Sequence, residues 1–272
     1  MNKELKNIIL PLIKKYDGEN ILNCSNIKLN CFKKYYSISL EDLCKKDDLN
    51  GIKWKHKYNY DLSIKHFTAD ELGPIILTIM DLSAKYGSLN IIKWLHSNTK
   101  INCSRCAMND AAGSGHLETV KWLHYNRSEG CTERAMDNAA SSGHLEIVQW
   151  LHSNRSEGDS FWATECAARN GHLEVIKWFH YNKNVNCGNF AMNVAASCGR
   201  LEIVKWISEN RIEDGPLEYN IGCIRNSENI DLKVWYLKNI RKCLRIRDIF
   251  QIPFLIMDIV CSKFISLISN IL

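Results

Sequence analysis

The chain lacks a strongly charged region. Its 35 Lys and Arg against 30 Asp and Glu give a formal net charge of +5. The balance is even along the length: residues 1–70 carry 13 basic and 9 acidic side chains, 71–210 carry 13 and 14, and 211–272 carry 9 and 7. A phosphate-binding surface needs a basic patch, and no third of the chain supplies one. The N-terminus is also expected to be a poor secretory leader. The opening MNKELKNIILPLIKK holds a short apolar patch broken by Pro11, with no small-residue cleavage site after it. The twelve cysteines are therefore expected to be reduced thiols. The Asn-x-Ser motifs at 23–25, 102–104, 126–128 and 154–156 would never meet the glycosylation machinery.

Catalytic and metal signatures are equally scarce. Cys103-Ser-Arg-Cys106 is a lone CxxC without the second pair or Cys/His partner that a zinc site requires. Gly113-Ser-Gly115 starts like a dinucleotide loop, but Glu118 stands where a third glycine belongs and no strand precedes it. No nucleophile sits beside a base in a pattern of its own. These absences point away from an enzyme and from any cofactor.

What the chain does have is a period. Residues 135–158, AMDNAASSGHLEIVQWLHSNRSEG, match residues 107–130 at 18 of 24 positions. Trp94, Trp122, Trp150, Trp178, Trp206 and Trp235 fall 28, 28, 28, 28 and 29 residues apart. Only Trp162 is off this beat, while Trp54 opens a similar phrase earlier. Such a period marks a repeat architecture. Each unit reads as two helices. In the first, Ala135, Met136, Ala139 and Ala140 form an apolar stripe of mostly small residues that Gly143 ends. In the second, Leu145, Ile147, Val148, Trp150 and Leu151 fill an arc too wide to be covered from one side. The predicted fold is an all-α solenoid of stacked helix-turn-helix units, each incomplete until the next covers it.

The histidines follow the same grammar. His116, His144 and His172 open second helices, and His56, His96, His124, His152 and His180 follow the Trp-Leu pair. Packed helices lie about 8–10 Å apart, too far for equivalent imidazoles to share a zinc with ligands at about 2 Å. Packing plus a hydrogen bond to a neighbouring loop carbonyl is the expected role. The tryptophan stripe is read as packing between units.

The phrase A-A-x-x-G-H-L-E-x-V-K-W-L, at 111–123 and 139–151 with Gln149 for Lys, resembles the second half of an ankyrin repeat. Degenerate copies stand at 83–95, 167–179 and 195–207, and the WLHxNRSEG wording is similar to divergent ankyrin proteins of giant DNA viruses and protists. The resemblance covers roughly residues 75–240, with a weak copy near 37–57. It departs from the family in two ways: its period is 28 rather than about 33, and the openings are CAMN, RAMD, WATE or FAMN in place of T-P-L-H. Blunt turns such as NRSEGCT are expected where the family projects β-hairpin fingers, so hairpins should be reduced or absent.

The resemblance implies a non-catalytic scaffold that binds a protein partner on the concave face, acting as a monomer in the cytoplasm, or host cytoplasm if viral. Identical columns across the repeats are set by packing, and wandering columns are open to a partner. Those before the first helix hold Arg105, Glu133, Phe161 and Asn189, then Arg134, Trp162 and Phe190; those at its end include Lys85, Tyr86, Arg169 and Asn170. Adjacent aromatics on a wandering column suggest an anchor. Two other readings are a ubiquitin-ligase substrate adaptor, for which neither terminus offers a docking helix, and a scaffold tethered to a membrane through 249–272. In that segment Asp258 and Lys263 each cost about 2.5–3.5 kcal/mol to insert, offsetting fourteen Leu, Ile, Phe and Val at about 0.3–0.6 each. The expected layout is an N-terminal cap over 1–74, repeats over 75–240 and a hydrophobic capping helix over 241–272.

Overall fold

A computed structural model describes residues 35, 38–57, 62–70, 73–157, 161–183, 189–210, 221–239 and 256. Residues 1–34 of the expected N-terminal cap and most of the expected cap over 241–272 lie outside them. Fourteen described helices form seven consecutive pairs. They are α1 (Leu40–Lys45) with α2 (Leu49–Lys57), α3 (Ile79–Lys85) with α4 (Leu89–Asn98), and α5 (Arg105–Gly113) with α6 (Leu117–Asn126). Next come α7 (Arg134–Ser141) with α8 (Leu145–Asn154), and α9 (Phe161–Asn170) with α10 (Leu173–Lys183). The last are α11 (Asn189–Ser197) with α12 (Leu201–Asn210), and α13 (Ile221–Asn226) with α14 (Ile230–Asn239). The fold is the helical solenoid that the period predicts. Among the described residues, one antiparallel hairpin interrupts it between α2 and α3: β1 (Ser63–Asp70) pairs with β2 (Gly73–Thr78). From α6 to α7 and from α8 to α9 the described linkers contain no strand, so the hairpin is reduced to this one junction there.

The helix ends are written into the repeat. Thr78 forms a capping box with Asp81 at the start of α3, and the Ser104 hydroxyl accepts the Cys106 amide at the start of α5. The asparagine four residues after each tryptophan closes the second helix. Asn98, Asn126, Asn154, Asn182, Asn210 and Asn239 each donate Nδ2 to the carbonyl of that tryptophan at 2.8–2.9 Å. Carbonyls that the helix cannot satisfy itself are thereby paired.

Packing runs along the stack rather than around a centre. Each first helix packs closely against the first helix of the next unit, whereas second helices touch one another far less. Small side chains permit this: Ala107, Ala111, Ala112, Ala135, Ala139, Ala140, Ala163, Ala167 and Ala168 are all buried in that row. Second helices contribute the larger apolar groups, such as Val120 and Leu123, Ile147, Val148 and Leu151, and Val175, Ile176 and Phe179. Each such side chain, fully buried, contributes about 1.5–3 kcal/mol.

Two side-chain ladders join the units. In one, the imidazole two residues after a tryptophan stands edge-on to the indole of the following unit. His56–Trp94, His96–Trp122, His124–Trp150, His152–Trp178 and His180–Trp206 have centroids 5.1–5.3 Å apart at 74–89°. These are favourable edge-to-face geometries. Arg127 and Arg155 brace it, each approaching the preceding unit's His Nδ1 at 3.3–3.4 Å while pairing with Glu129 or Glu157 two residues on. The repeated RSEG word is thus a clamp.

In the second ladder, a polar side chain opening one second helix reaches back to the turn of the unit before. Ser88 donates to the Cys44 carbonyl. His116 hydrogen-bonds the Lys85 backbone, and His172 Nε2 meets the Ser141 carbonyl at 2.9 Å. Arg200 and Asn229 fill the same role, donating to the Arg169 and Gly199 carbonyls at 2.9 and 2.7 Å. The turn glycines make room: a Cβ on Gly87, Gly115 or Gly143 would lie within 2.4–2.7 Å of the ring of His116, His144 or His172.

Burial lowers the His116 pKa, with the His144 charge adding to it and the Lys85 hydrogen bond opposing. The unfolded chain therefore takes up this proton first, near pH 6.5. The stability contributed by neutral His116 is complete above that pH and declines as the pH falls towards the lower folded value. Urea midpoints recorded from about pH 8 to about pH 5 should fall less steeply for His116→Asn than for wild type. Asparagine can still donate to the carbonyl, as Asn229 does. Parallel curves would mean that this ring does not titrate with folding.

Candidate docking surface

The side chains in question stand on the first helices, and packing divides the candidates. Tyr86 is half-buried, and its hydroxyl donates to Glu41 Oε1 at 2.6 Å with the Lys45 ammonium 5.4 Å from the ring centroid. This fastens α3 to α1. Arg169 pairs with the buried Glu165 on its own helix, and its carbonyl receives Arg200. Asn170 donates to both the carbonyl and the hydroxyl of Ser141 at 2.8 Å. These three hold the stack together as well as lining its surface. Lys85, Arg105, Glu133 and Arg134 are exposed. Phe161 and Asn189 begin α9 and α11, and their side chains lie outside the described set.

Trp162 and Phe190 differ from the rest. They are 59% and 48% exposed, on equivalent positions of the adjoining helices α9 and α11. Every tryptophan on the 28-residue beat, by contrast, is packed against the core. The same column holds half-buried Cys106 and exposed Arg134 in the two preceding units. Further along the same row of helices lies a notch of about 230 Å³, lined by Lys85, Asp110, Gly113, Ser114, Asn138, Ser141 and Ser142. Burial raises the Asp110 pKa there, against the opposing charge of Lys85. A larger, open depression of about 730 Å³ sits at the ends of second helices, lined by His56, Leu62 and Ser97–Ile101.

A polar column that the sequence reading left without a role sets the register of this surface. It ends the CAMN-type openings. Asp81 Oδ1 accepts the Ser104 amide at 2.7 Å, and Asn109 accepts the Thr132 amide at 3.0 Å while donating to its hydroxyl at 2.9 Å. At these two junctions a unit thus holds the start of the next first helix, which is where Arg105 and Arg134 are displayed. Its partner lies 23 residues downstream, so only an aligned comparison of the units would have exposed it.

Cys103 is buried and its thiol is pushed up to about 11, by burial above all, which leaves it protonated. Among the described residues no group of three or more His, Cys, Asp or Glu could hold a metal ion, and no described helix is long and apolar enough to cross a membrane.

Comparison with known proteins finds ankyrin repeats within the chain. Residues 103–152 match the model described as ankyrin repeats (many copies), and residues 136–217 that described as ankyrin repeats (3 copies). Among solved structures, the human ASB11 ankyrin repeat domain aligns at 14% identity, covering 63% of this chain and 83% of that one, with a TM-score of 0.48. No curated protein matches.

Proposed function

Because the chain carries ankyrin repeats over residues 103–217, we propose that it is a non-catalytic scaffold that holds a protein partner on the face formed by its first helices. Ankyrin repeats make protein–protein interaction domains, so the coarse role follows from the family. The choice of face is our own reading. Close approach along the first-helix row and wide separation along the second bend the stack toward the first helices, making that side concave. The observation that carries the proposal is the exposure of Trp162 and Phe190 on neighbouring first helices. Large aromatic groups about half or more exposed to water leave apolar surface uncovered, and they are the residue types most enriched where binding energy concentrates.

Trp162→Ala combined with Phe190→Ser should change the urea midpoint only slightly, by about 0.5 kcal/mol or less. Capture of a native partner, quantified by mass spectrometry against wild type, should drop about tenfold or more. A large stability loss with unchanged capture would make these rings core, and the face would be wrong. Tyr125→Ser with Tyr181→Ser, on exposed positions of second helices, is the control that should leave capture unchanged.

A further inference from the structure

From the second unit to the sixth, the first helices of this stack expose cations, while their own carboxylates are buried or half-buried. The cations are Lys85, Arg105, Arg134 and Arg169. Among the described residues those five helices expose no carboxylate. Their acids are withdrawn: Asp81 and Glu165 are buried, the first against Ser104 and the second against Arg169, while Asp110 and Asp137 are half-buried. Glu133, just before α7, is the exposed exception. Second helices carry both signs: Lys93 is exposed on α4, and Lys121, Lys177 and Lys205 pair with Glu118, Glu174 and Glu202. Glu118, Glu146, Glu174, Glu202 and Asp231 are exposed at their first turns, where helix dipoles favour anions. The overall charge of the chain conceals the excess of exposed cations on the first helices, which becomes visible only once the helices are assigned to sides.

We infer that the partner presents an extended, acidic segment with one apolar anchor, seated along the first helices with the anchor between Trp162 and Phe190. The inference rests on the face proposed above and adds the chemistry of the occupant. Three features fit such a segment. The cations stand at both ends of the helices, where carboxylates on either side of an extended chain can meet them. The notch at Asp110, Asn138 and Ser141 offers hydroxyl, amide and carboxylate groups to a main chain that needs both donors and acceptors. The apolar end at Trp162 and Phe190 offers a desolvated contact for one aromatic or aliphatic side chain. The length is defined as well. Four steps of about 10 Å separate the second unit from the sixth, a distance that an extended chain covers in about 12 residues. Complementary charge of this kind steers encounter and rejects partners of the wrong sign.

The test is a selection of random peptides of about 15 residues displayed against the full-length chain, with affinities of the winners measured by fluorescence anisotropy. Enriched peptides should carry net negative charge and an aromatic or aliphatic residue. Their affinity should fall about tenfold or more with Trp162→Ala, or with Phe190→Ser should the first variant not fold. It should fall again with Arg134→Glu and weaken on the order of tenfold as salt is raised through the Debye range. Neutral or basic winners that still depend on Trp162 would overturn the acidic segment and leave the face standing. Winners indifferent to Trp162, Phe190 and Arg134 would overturn both, as would a selection that enriches nothing. Displacement of the acidic winners by a single-stranded oligonucleotide at equal charge would also overturn the inference, since the face would then read charge alone.

Discussion

Gly143→Val should lower the unfolding free energy by about 3 kcal/mol or more, read as a shift in urea midpoint by tryptophan fluorescence. Gly143 has φ +78°, a left-handed conformation in which a β-branched residue is strained. A Cβ there would also lie 2.5 Å from Nδ1 and 2.8 Å from Cε1 of His172. That ring cannot swing aside freely, because its Nε2 is engaged with the Ser141 carbonyl. The two costs separate by design. Gly143→Ala combined with His172→Ala removes the collision and keeps the backbone strain, so the pair should lie closer to wild type than the sum of the single changes. Strict additivity would mean that the turn, and not the seam between units, carries the effect.

Ala139→Leu should cost about 2–3 kcal/mol. Ala139 is fully enclosed on α7, the helix flanked by α5 on one side and α9 on the other. Three further methylene-sized groups fit only if the first helices spread. Because the row of first helices is the tightly packed one, spreading also straightens the stack. Small-angle scattering should therefore show a longer particle for Ala139→Leu than for wild type. Ser153→Leu, on the exposed side of α8, is the control and should fall within about 0.5 kcal/mol of wild type. A full-sized loss at both positions would mean that added volume is not what matters at Ala139.

These two sites show what the sequence could and could not reveal. Alanines and glycines recurring every 28 residues are legible because close packing tolerates nothing else, and repetition within one chain supplies its own alignment. Tryptophan positions were legible for the same reason, though the imidazole that each one meets belongs to the unit before, which periodicity alone does not specify. The hairpin was harder to see. Its trace in the sequence is the 40-residue gap between Trp54 and Trp94, longer than the period, in a stretch that had lost the other repeat words. The wandering columns prove exposed at some residues and engaged between units at others. Exposure at Trp162 and Phe190 agrees with an unconstrained position. Tyr86 and Asn170 vary between units and yet are engaged across seams, because a contact made at one junction by a phenol can be made at the next by an amide or not at all. Variation marks freedom only where no neighbour has improvised a substitute.

The reaching side chain that opens each second helix has a wider consequence. Serine, histidine, arginine and asparagine all serve at equivalent points, each finding a main-chain oxygen one step back. A joint that accepts so many fittings is specified by backbone shape, which is the same at every step. Losing or duplicating one 28-residue word would therefore change how far the molecule reaches without disturbing how its parts engage.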